Sequence, residues 1–504
     1  MVRGSTTAYS IETRSHKPDA WYGTIVPVAD PFAERDQVDV ALEVACKIAR
    51  SYLERVGAER VLSPNAELAI GRWSDPMPEE GVGTLTALTE LGDRAREAAT
   101  RSSGPRFFHF VMGGGTPAAL GADWLTSAYD QVAFVWASSP FASRLEQVAV
   151  DWLRQLFELP PGFGGVLTTG ATMANFVALA AARNWWGERQ GVDVEERGVA
   201  GLAPAVILSS GYLHPSAIQA VGMLGFGRRS IRRLARDDVG RLDLEALERE
   251  LKHAATPAIV IANAGEVNAG DFDPIADIAD LCERHTAWLH VDGAFGLFAR
   301  LTASTRALTE GVERADSVIS DGHKWLNVPY DCGFAFIREM ERLPRALNVG
   351  APYLPSPADP HPNFGFVAPE NSRRARALAV WATLRAYGRT GYREMVARHV
   401  SLARRLADRV DASPELERLA DVQLNIVCFR AHPSGFSEEQ LNDFNLRLGD
   451  ALRADGRVFA GSTTYAGKTA LRPAIVNWQT DVPDVDLLVD VARELTQAQL
   501  AVAR

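Results

Sequence analysis

Between about residues 104 and 349 the chain alternates short, almost wholly apolar runs with stretches of amphipathic helical spacing. Gly165-Val166-Leu167-Thr168-Thr169 precedes a helix predicted over 171–186, and Ala205-Val206-Ile207-Leu208 precedes one that opens near Pro215. Ala258-Ile259-Val260-Ile261 precedes a helix over 275–284, and Ala287-Trp288-Leu289-His290-Val291 and Ser317-Val318-Ile319 continue the series. Strands that are apolar at nearly every position are buried on both faces, so helices must cover both sides of their sheet. The pattern predicts an α/β fold with a mainly parallel, doubly wound sheet. Its ligands belong outside the carboxyl ends of the strands.

A chain of 504 residues exceeds one simple core, and the texture changes on either side of this region. Residues 1–103 are polar and punctuated by proline, with helical apolar spacing only over 33–56. Residues 350–504 open with a loop rich in proline and glycine (351–369). Predicted helices over 372–387, 400–410 and 438–454, strands over 424–429 and 470–475, and a helix after Pro483 follow, which together read as a smaller α+β domain. The formal charge is 53 − 63 = −10, and no basic stripe appears, which argues against nucleic acid as a partner. Arg373-Arg374-Ala375-Arg376, the densest basic group, is expected on a solvated helix face. No run approaches the ~18 apolar residues of a membrane span. The first twenty residues lack the apolar core of a signal peptide, so a cytoplasmic chain is expected. Cys46, Cys282, Cys332 and Cys428 form no CxxC or CxxH pair, so neither a metal site nor a disulfide framework is expected.

Four loops at predicted strand ends carry the chemistry. Thr168-Thr169-Gly170-Ala171-Thr172 turns a strand into a helix whose unpaired N–H groups suit a phosphate; the plainer reading is an N-cap by Thr169 or Thr172. His214 opens a helix after a strand. Asp292 ends a strongly apolar strand, where a carboxylate needs a cationic partner, either an arginine such as Arg300 or a protonated ring. Lys324, in Ser320-Asp321-Gly322-His323-Lys324-Trp325-Leu326, also ends a strand; desolvation there would make it an amine nucleophile. One molecule with a phosphate, an aldehyde and a basic ring nitrogen satisfies all four loops, and pyridoxal 5′-phosphate is such a molecule. Lys324 would hold the aldehyde and Asp292 the ring nitrogen. Thr172 and its helix end would take the phosphate, while His214 and Ala294 would lie against the ring.

These loops resemble those of the group II pyridoxal-phosphate-dependent decarboxylases, which act on aromatic amino acids, histidine and glutamate. Leu167 to Asn175, His214, His290 to Ala294 and Ser320 to Leu326 carry the match, and weaker similarity runs from about Phe107 to Trp478. The resemblance implies a fold type I enzyme that releases carbon dioxide from an amino acid. In it Lys324 is the Schiff-base lysine, Asp292 the partner of the pyridinium nitrogen, and His214 and Ala294 the two ring faces. Ala171, Thr172 and His323 would form the phosphate set. It also implies an obligate homodimer with its sites at the interface, the N-terminal segment packing on the partner subunit.

The chain departs from the family pattern in places. Met173 stands where glutamate is usual, and Gly265-Glu266-Val267-Asn268 replaces a common Gly-Thr-Thr run. Glu266 then reads either as a contact to the cofactor or as a solvated loop carboxylate. The loop 361–366 lacks the tyrosine that many members use to reprotonate the α-carbon; Phe364 lies near that place, as in related aldehyde synthases, and Tyr353 is the nearest tyrosine. Phe110, Phe134 and His109 are the expected substrate pocket, which favours an aromatic L-amino acid over a second carboxylate.

Overall fold

The computed structural model describes residues 30–348, 350–356 and 358–503; residues 1–29 of the N-terminal segment, and Val349 at the end of the central region, lie outside them. Seven strands form the large sheet: β1 (Gly164–Thr168), β2 (Val206–Ser209), β3 (Ile231–Arg233), β4 (Ala258–Asn263), β5 (Trp288–Asp292), β6 (Ser317–Asp321) and β7 (Gly333–Ile337). Their spatial order is β1-β7-β6-β5-β4-β2-β3. Each of the five apolar runs is a strand, and β2 to β6 pair in parallel. β7, which the sequence reading did not separate, runs antiparallel to both β1 and β6. Residues 322–332 are too few for the crossover that a parallel strand needs, so the chain turns straight back.

The sheet is buried on both sides because successive residues point to opposite faces. In β4, Ile259 and Ile261 pack with the helices Ala171–Glu188 and Pro215–Met223. Val260 and Ala262 pack instead with Pro140–Leu156 and Ile275–His285. The first helix turns Ala174, Ala178 and Ala181 to the sheet, and these small side chains let it lie close.

A second, antiparallel sheet combines β8 (Leu416–Arg418), β9 (Phe429–Ala431), β10 (Ser462–Tyr465) and β11 (Lys468–Leu471) with the helices Glu438–Asp455 and Val482–Ala503. The helices predicted over 372–387 and 400–410 belong to one stretch, Ala377–Asp411, broken only at Gly388, where φ is 57°. The strand predicted over 424–429 is reduced to β9 and a single bridge between Ile426 and Ala474. The strand predicted over 470–475 stops at Leu471, ahead of Pro473, which has no N–H to offer a ladder.

The basic group is not a solvated helix face. Arg373 is buried and holds both carboxylate oxygens of Glu146 at 3.0 Å, while donating to the carbonyl of Leu167. Arg376 pairs with Asp331 at 2.7 Å, and only Arg374 reaches the surface, beside Asp123. Their stretch lies before the helix begins and bridges it to β1. No helix of the described residues is long and apolar enough to cross a membrane, and all four cysteines are free.

Candidate active site

Beyond Asp321, residues Gly322–Leu326 form one wide turn of π-helix that carries Lys324. The turn is anchored at several points. Trp325 is fully buried and donates its indole N–H to His399 Nδ1 at 2.8 Å, and Tyr392 donates to the carbonyl of Leu326 at 2.8 Å. Asn327, in the left-handed region, donates to the carbonyls of Trp325 (2.9 Å) and Val476 (3.0 Å). Lys324 is therefore fixed at its backbone. Its tip is ion-paired: Nζ lies 3.0 Å from Asp321 Oδ2.

The helix Ala171–Glu188 starts beside this turn with no cap from its own threonines; instead Ala171 donates its N–H to Asp321 Oδ1 at 2.6 Å. Thr172 is exposed in the first turn. Glycines shape this cradle. A Cβ on Gly170 would stand 3.2 Å from His323 Cε1, and one on Gly333 would run into the backbone of Gly170 at 2.5 Å. His323 stacks on Tyr330 with centroids 4.2 Å apart, and burial holds its pKa below the ordinary value. Asp321 is a member of this site that sequence reasoning missed. Its signal was a second acidic residue closing an apolar strand, as Asp292 does.

Asp292 is buried at the end of β5 and accepts two neutral donors, Asn175 Nδ2 at 3.0 Å and the N–H of Ala294 at 3.1 Å. Arg300, the alternative partner, is committed to Glu313 (3.0 Å) and the carbonyl of Thr309 (2.9 Å). Among the described residues Asp292 makes no ion pair. Its orientation is nonetheless set. His290 is fully buried, and desolvation lowers its pKa to about 4, so it is neutral. Its Nε2–H donates to Asn175 Oδ1 at 2.8 Å, while Nδ1 meets Ser317 Oγ at 2.8 Å. That bond turns the Asn175 amide group toward Asp292 and Ser216. His214 Nδ1 accepts the N–H of Ser216 at 3.2 Å and lies 2.7 Å from its hydroxyl, which leaves the proton of the neutral ring on Nε2. One side of His214 is open, yet its surroundings desolvate it enough to lower its pKa. Ala294, half-buried, accepts the N–H of Asp321 at 3.0 Å, which joins the Asp292 loop to the lysine turn.

Of the expected pocket residues, His109 and Phe110 meet with ring centroids 3.6 Å apart, while Phe134 is engaged elsewhere. Phe110 is 58% exposed, Phe134 packs on Gly365, and His109 fills the space above Gly461 beside Phe459. Burial and the charge of Arg472 lower the pKa of His109 to about 4. The cavity adjoining the site, about 560 Å³, is lined instead by Met112, Gly115, Trp124, Tyr330 and Trp478, with His323 at its edge. Glu266 is not a solvated carboxylate. It is buried and accepts the N–H groups of Asn268 (2.8 Å) and Ala269, so it braces its own loop. Phe364 is buried in the core. Sequence reasoning also missed Arg472, which is 8% exposed and has no side-chain hydrogen bond among the described residues. Its backbone N–H donates to the carbonyl of Gly461, the glycine against which His109 packs, and its charge acts to lower the pKa of His109.

The donor set fits the cofactor inferred from the sequence: a buried carboxylate without a cation, a primary amine, and a helix start narrowed by glycines. Residues 89–432 match the family described as the pyridoxal-dependent decarboxylase conserved domain. The chain belongs to that family. It is 29% identical over 429 residues to an aromatic-L-amino-acid decarboxylase of Bacillus atrophaeus, covering 84% of this chain and 87% of the relative. It is 32% identical over 437 residues to an L-2,4-diaminobutyrate decarboxylase of Rhizobium meliloti, covering 84% of each. Its fold resembles that of the Oryza sativa TDC solved with PLP and tryptamine, with a TM-score of 0.85, 27% identity, and coverage of 92% of this chain and 98% of that one. The protein is a fold type I, pyridoxal-phosphate-dependent carboxy-lyase acting on an amino acid.

Proposed function

We propose that the substrate is an aromatic L-amino acid, converted to its amine and carbon dioxide. The observation that carries this reading is the cavity beside His323. Its lining includes Trp124, Tyr330, Trp478, Met112 and Leu53 and contains no carboxylate, lysine or arginine. A second carboxylate would require an arginine fork there, and the side-chain ammonium of diaminobutyrate would require an acid. A flat apolar side chain requires neither.

Lys324 would hold the cofactor covalently, and Ala171, Thr172 and His323 would bind its phosphate. When bound, pyridoxal phosphate supplies an electron sink for the pair released as the carboxylate leaves. Asp292 keeps a proton on the ring nitrogen, because a buried carboxylate favours the cationic form of whatever base it meets. Asn175 and His290 hold that carboxylate in register. His214 and Ala294 would lie against the ring. Arg472 offers a desolvated guanidinium to the substrate's own carboxylate. Phe364 packs in the core and amine is the expected product; because the 361–366 loop has no tyrosine, aldehyde formation is the competing outcome that the assay below reads.

The reading includes division of the chain near residues 103 and 349 and a homodimer. The helices Val38–Arg55 and Thr84–Ala98 leave Val38, Leu42 and Leu91 exposed, apolar surface that a second copy would cover. Free cysteines support a reducing, cytoplasmic setting.

The test is incubation of the holoenzyme with each proteinogenic amino acid and with L-2,4-diaminobutyrate, assaying carbon dioxide, amine, aldehyde and peroxide together. Amine formed from tryptophan, tyrosine or phenylalanine in step with carbon dioxide supports the reading. Preference for diaminobutyrate, or peroxide accompanying aldehyde, overturns it.

A further inference from the structure

Asp321 is a second buried carboxylate beside Lys324, and the roles assigned above leave it without a task. Its exposure is 2%, and its two oxygens are divided between two partners. Oδ1 takes the N–H of Ala171 at 2.6 Å, and Oδ2 takes Nζ of Lys324 at 3.0 Å. His323 Nε2 stands 3.6 Å from the same Oδ1. One side chain thus occupies the amide that opens the phosphate-binding helix and the amine that would hold the cofactor.

Both partners explain why an acid is stable there. The first N–H groups of a helix have no acceptor within the helix, and a partly desolvated ammonium such as that of Lys324 favours a counter-charge. Asp321 satisfies both with one group. A bound phosphate monoester carries about −1.5 to −2 charges. Aimed at the same helix start, it meets a carboxylate already on the Ala171 amide, in surroundings that screen charge poorly.

We propose that Asp321 is a placeholder for the cofactor's phosphate and thereby sets the affinity for pyridoxal phosphate. Without cofactor it neutralises Lys324 and caps Ala171. With cofactor it must give up the Ala171 N–H, and it opposes the phosphate through like charge. The proposal rests on the reading that Ala171 and Lys324 hold the cofactor. It assigns Asp321 a positioning role rather than a catalytic one.

The test compares three probes on the cofactor-free chain: pyridoxal phosphate, pyridoxal (the same ring and aldehyde without phosphate) and inorganic phosphate. Asp321→Asn keeps the shape and one acceptor for Ala171 but removes the charge. The quantity read is the Kd of pyridoxal divided by the Kd of pyridoxal phosphate. In the variant this ratio is expected to rise by roughly tenfold or more, and inorganic phosphate is expected to bind more tightly by a similar factor. An unchanged or lower ratio overturns the proposal. Asp321→Ser serves the same purpose if the asparagine variant folds poorly. The wild-type chain provides an independent reading: the Ala171 amide should be protected from hydrogen exchange before any cofactor is added, and rapid exchange there counts against the placeholder. Borohydride reduction separates the two levels. An adduct on Lys324 with an unchanged ratio leaves the site reading intact and rejects this inference, whereas an adduct elsewhere rejects the reading itself.

Discussion

Glu146 and Asp292 are both buried carboxylates that meet the ends of strands in one sheet, yet only one of them has a cation. Glu146 accepts the N–H of Leu167 and both arms of Arg373, and burial raises its pKa against the pull of that guanidinium. It is a closed arrangement, with every strong acceptor met from inside the chain. Asp292 receives only an amide side chain and a backbone N–H, while the nearby Arg300 is bound to Glu313. A buried charge left in this state is unfavourable unless something else brings the opposite charge. Glu146 therefore belongs to the scaffold, and Asp292 to a ligand.

The comparison can be broken or sharpened by substitution. The largest effect is expected at the amine: Lys324→Ala should lower turnover roughly 10⁴-fold or more and abolish borohydride-stable labelling. Because it leaves the buried Asp321 without its ammonium, the thermal midpoint should also fall. Asp292→Asn should cost roughly a thousandfold in kcat with little loss of stability, as read by steady-state kinetics beside thermal unfolding. Arg373→Met should do the reverse. It strands Glu146, and about 3–5 kcal/mol of stability should be lost in urea unfolding, while the folded fraction keeps its kcat. If Arg373→Met and Asp292→Asn moved the same observable, the distinction between scaffold and ligand site would fail.

A smaller effect comes from the histidine behind Asp292. His290 has a folded pKa of about 4, against 6.5 unfolded, so between those values the unfolded chain binds more protons. Stability should then be full above about pH 6.5 and fall as the pH drops toward 4, with His290 accounting for about 3 kcal/mol of the loss. His290→Asn should flatten that part of the urea-midpoint profile. It should also lower kcat about 10- to 100-fold, as expected when a group that orients a charged partner is lost. The smallest effect belongs to a surface cluster: Arg314→Ala, which frees Asp280 and Glu283, should cost about 1 kcal/mol or less and leave kcat and KM unchanged.

Much of the sheet was legible because its strands are apolar on both faces, a pattern few other structures produce. β7 was not separated because its direction depends on the length of the turn before it rather than on its own composition. The two helices predicted over 372–387 and 400–410 were legible as two because Gly388, with non-helical backbone, separates them, although the second begins earlier than its apolar spacing showed. In the site, Lys324, Asp292 and His214 stood out because each is a polar group next to an apolar run. Asn175, His290 and Arg472 did not, because their roles come from partners far away in sequence; Asn175 links residues 216, 290 and 292. Arg373 and Arg376 misled because a cluster of arginines normally marks solvent, and their partners, the buried Glu146 and the half-exposed Asp331, are remote along the chain. Two of the aromatic residues expected in the pocket also pack on partners that are remote along the chain. Phe134 has its own complement in Gly365, and His109 has its own in Gly461.

The central claim is that the cation absent beside Asp292 is the protonated ring nitrogen of pyridoxal phosphate. It is tested most directly by nitrogen NMR of the holoenzyme reconstituted with cofactor labelled at that nitrogen. The account predicts a protonated pyridinium signal in the wild-type protein and its loss in Asp292→Asn. A neutral pyridine nitrogen in the wild-type protein, or a signal indifferent to the substitution, would contradict it.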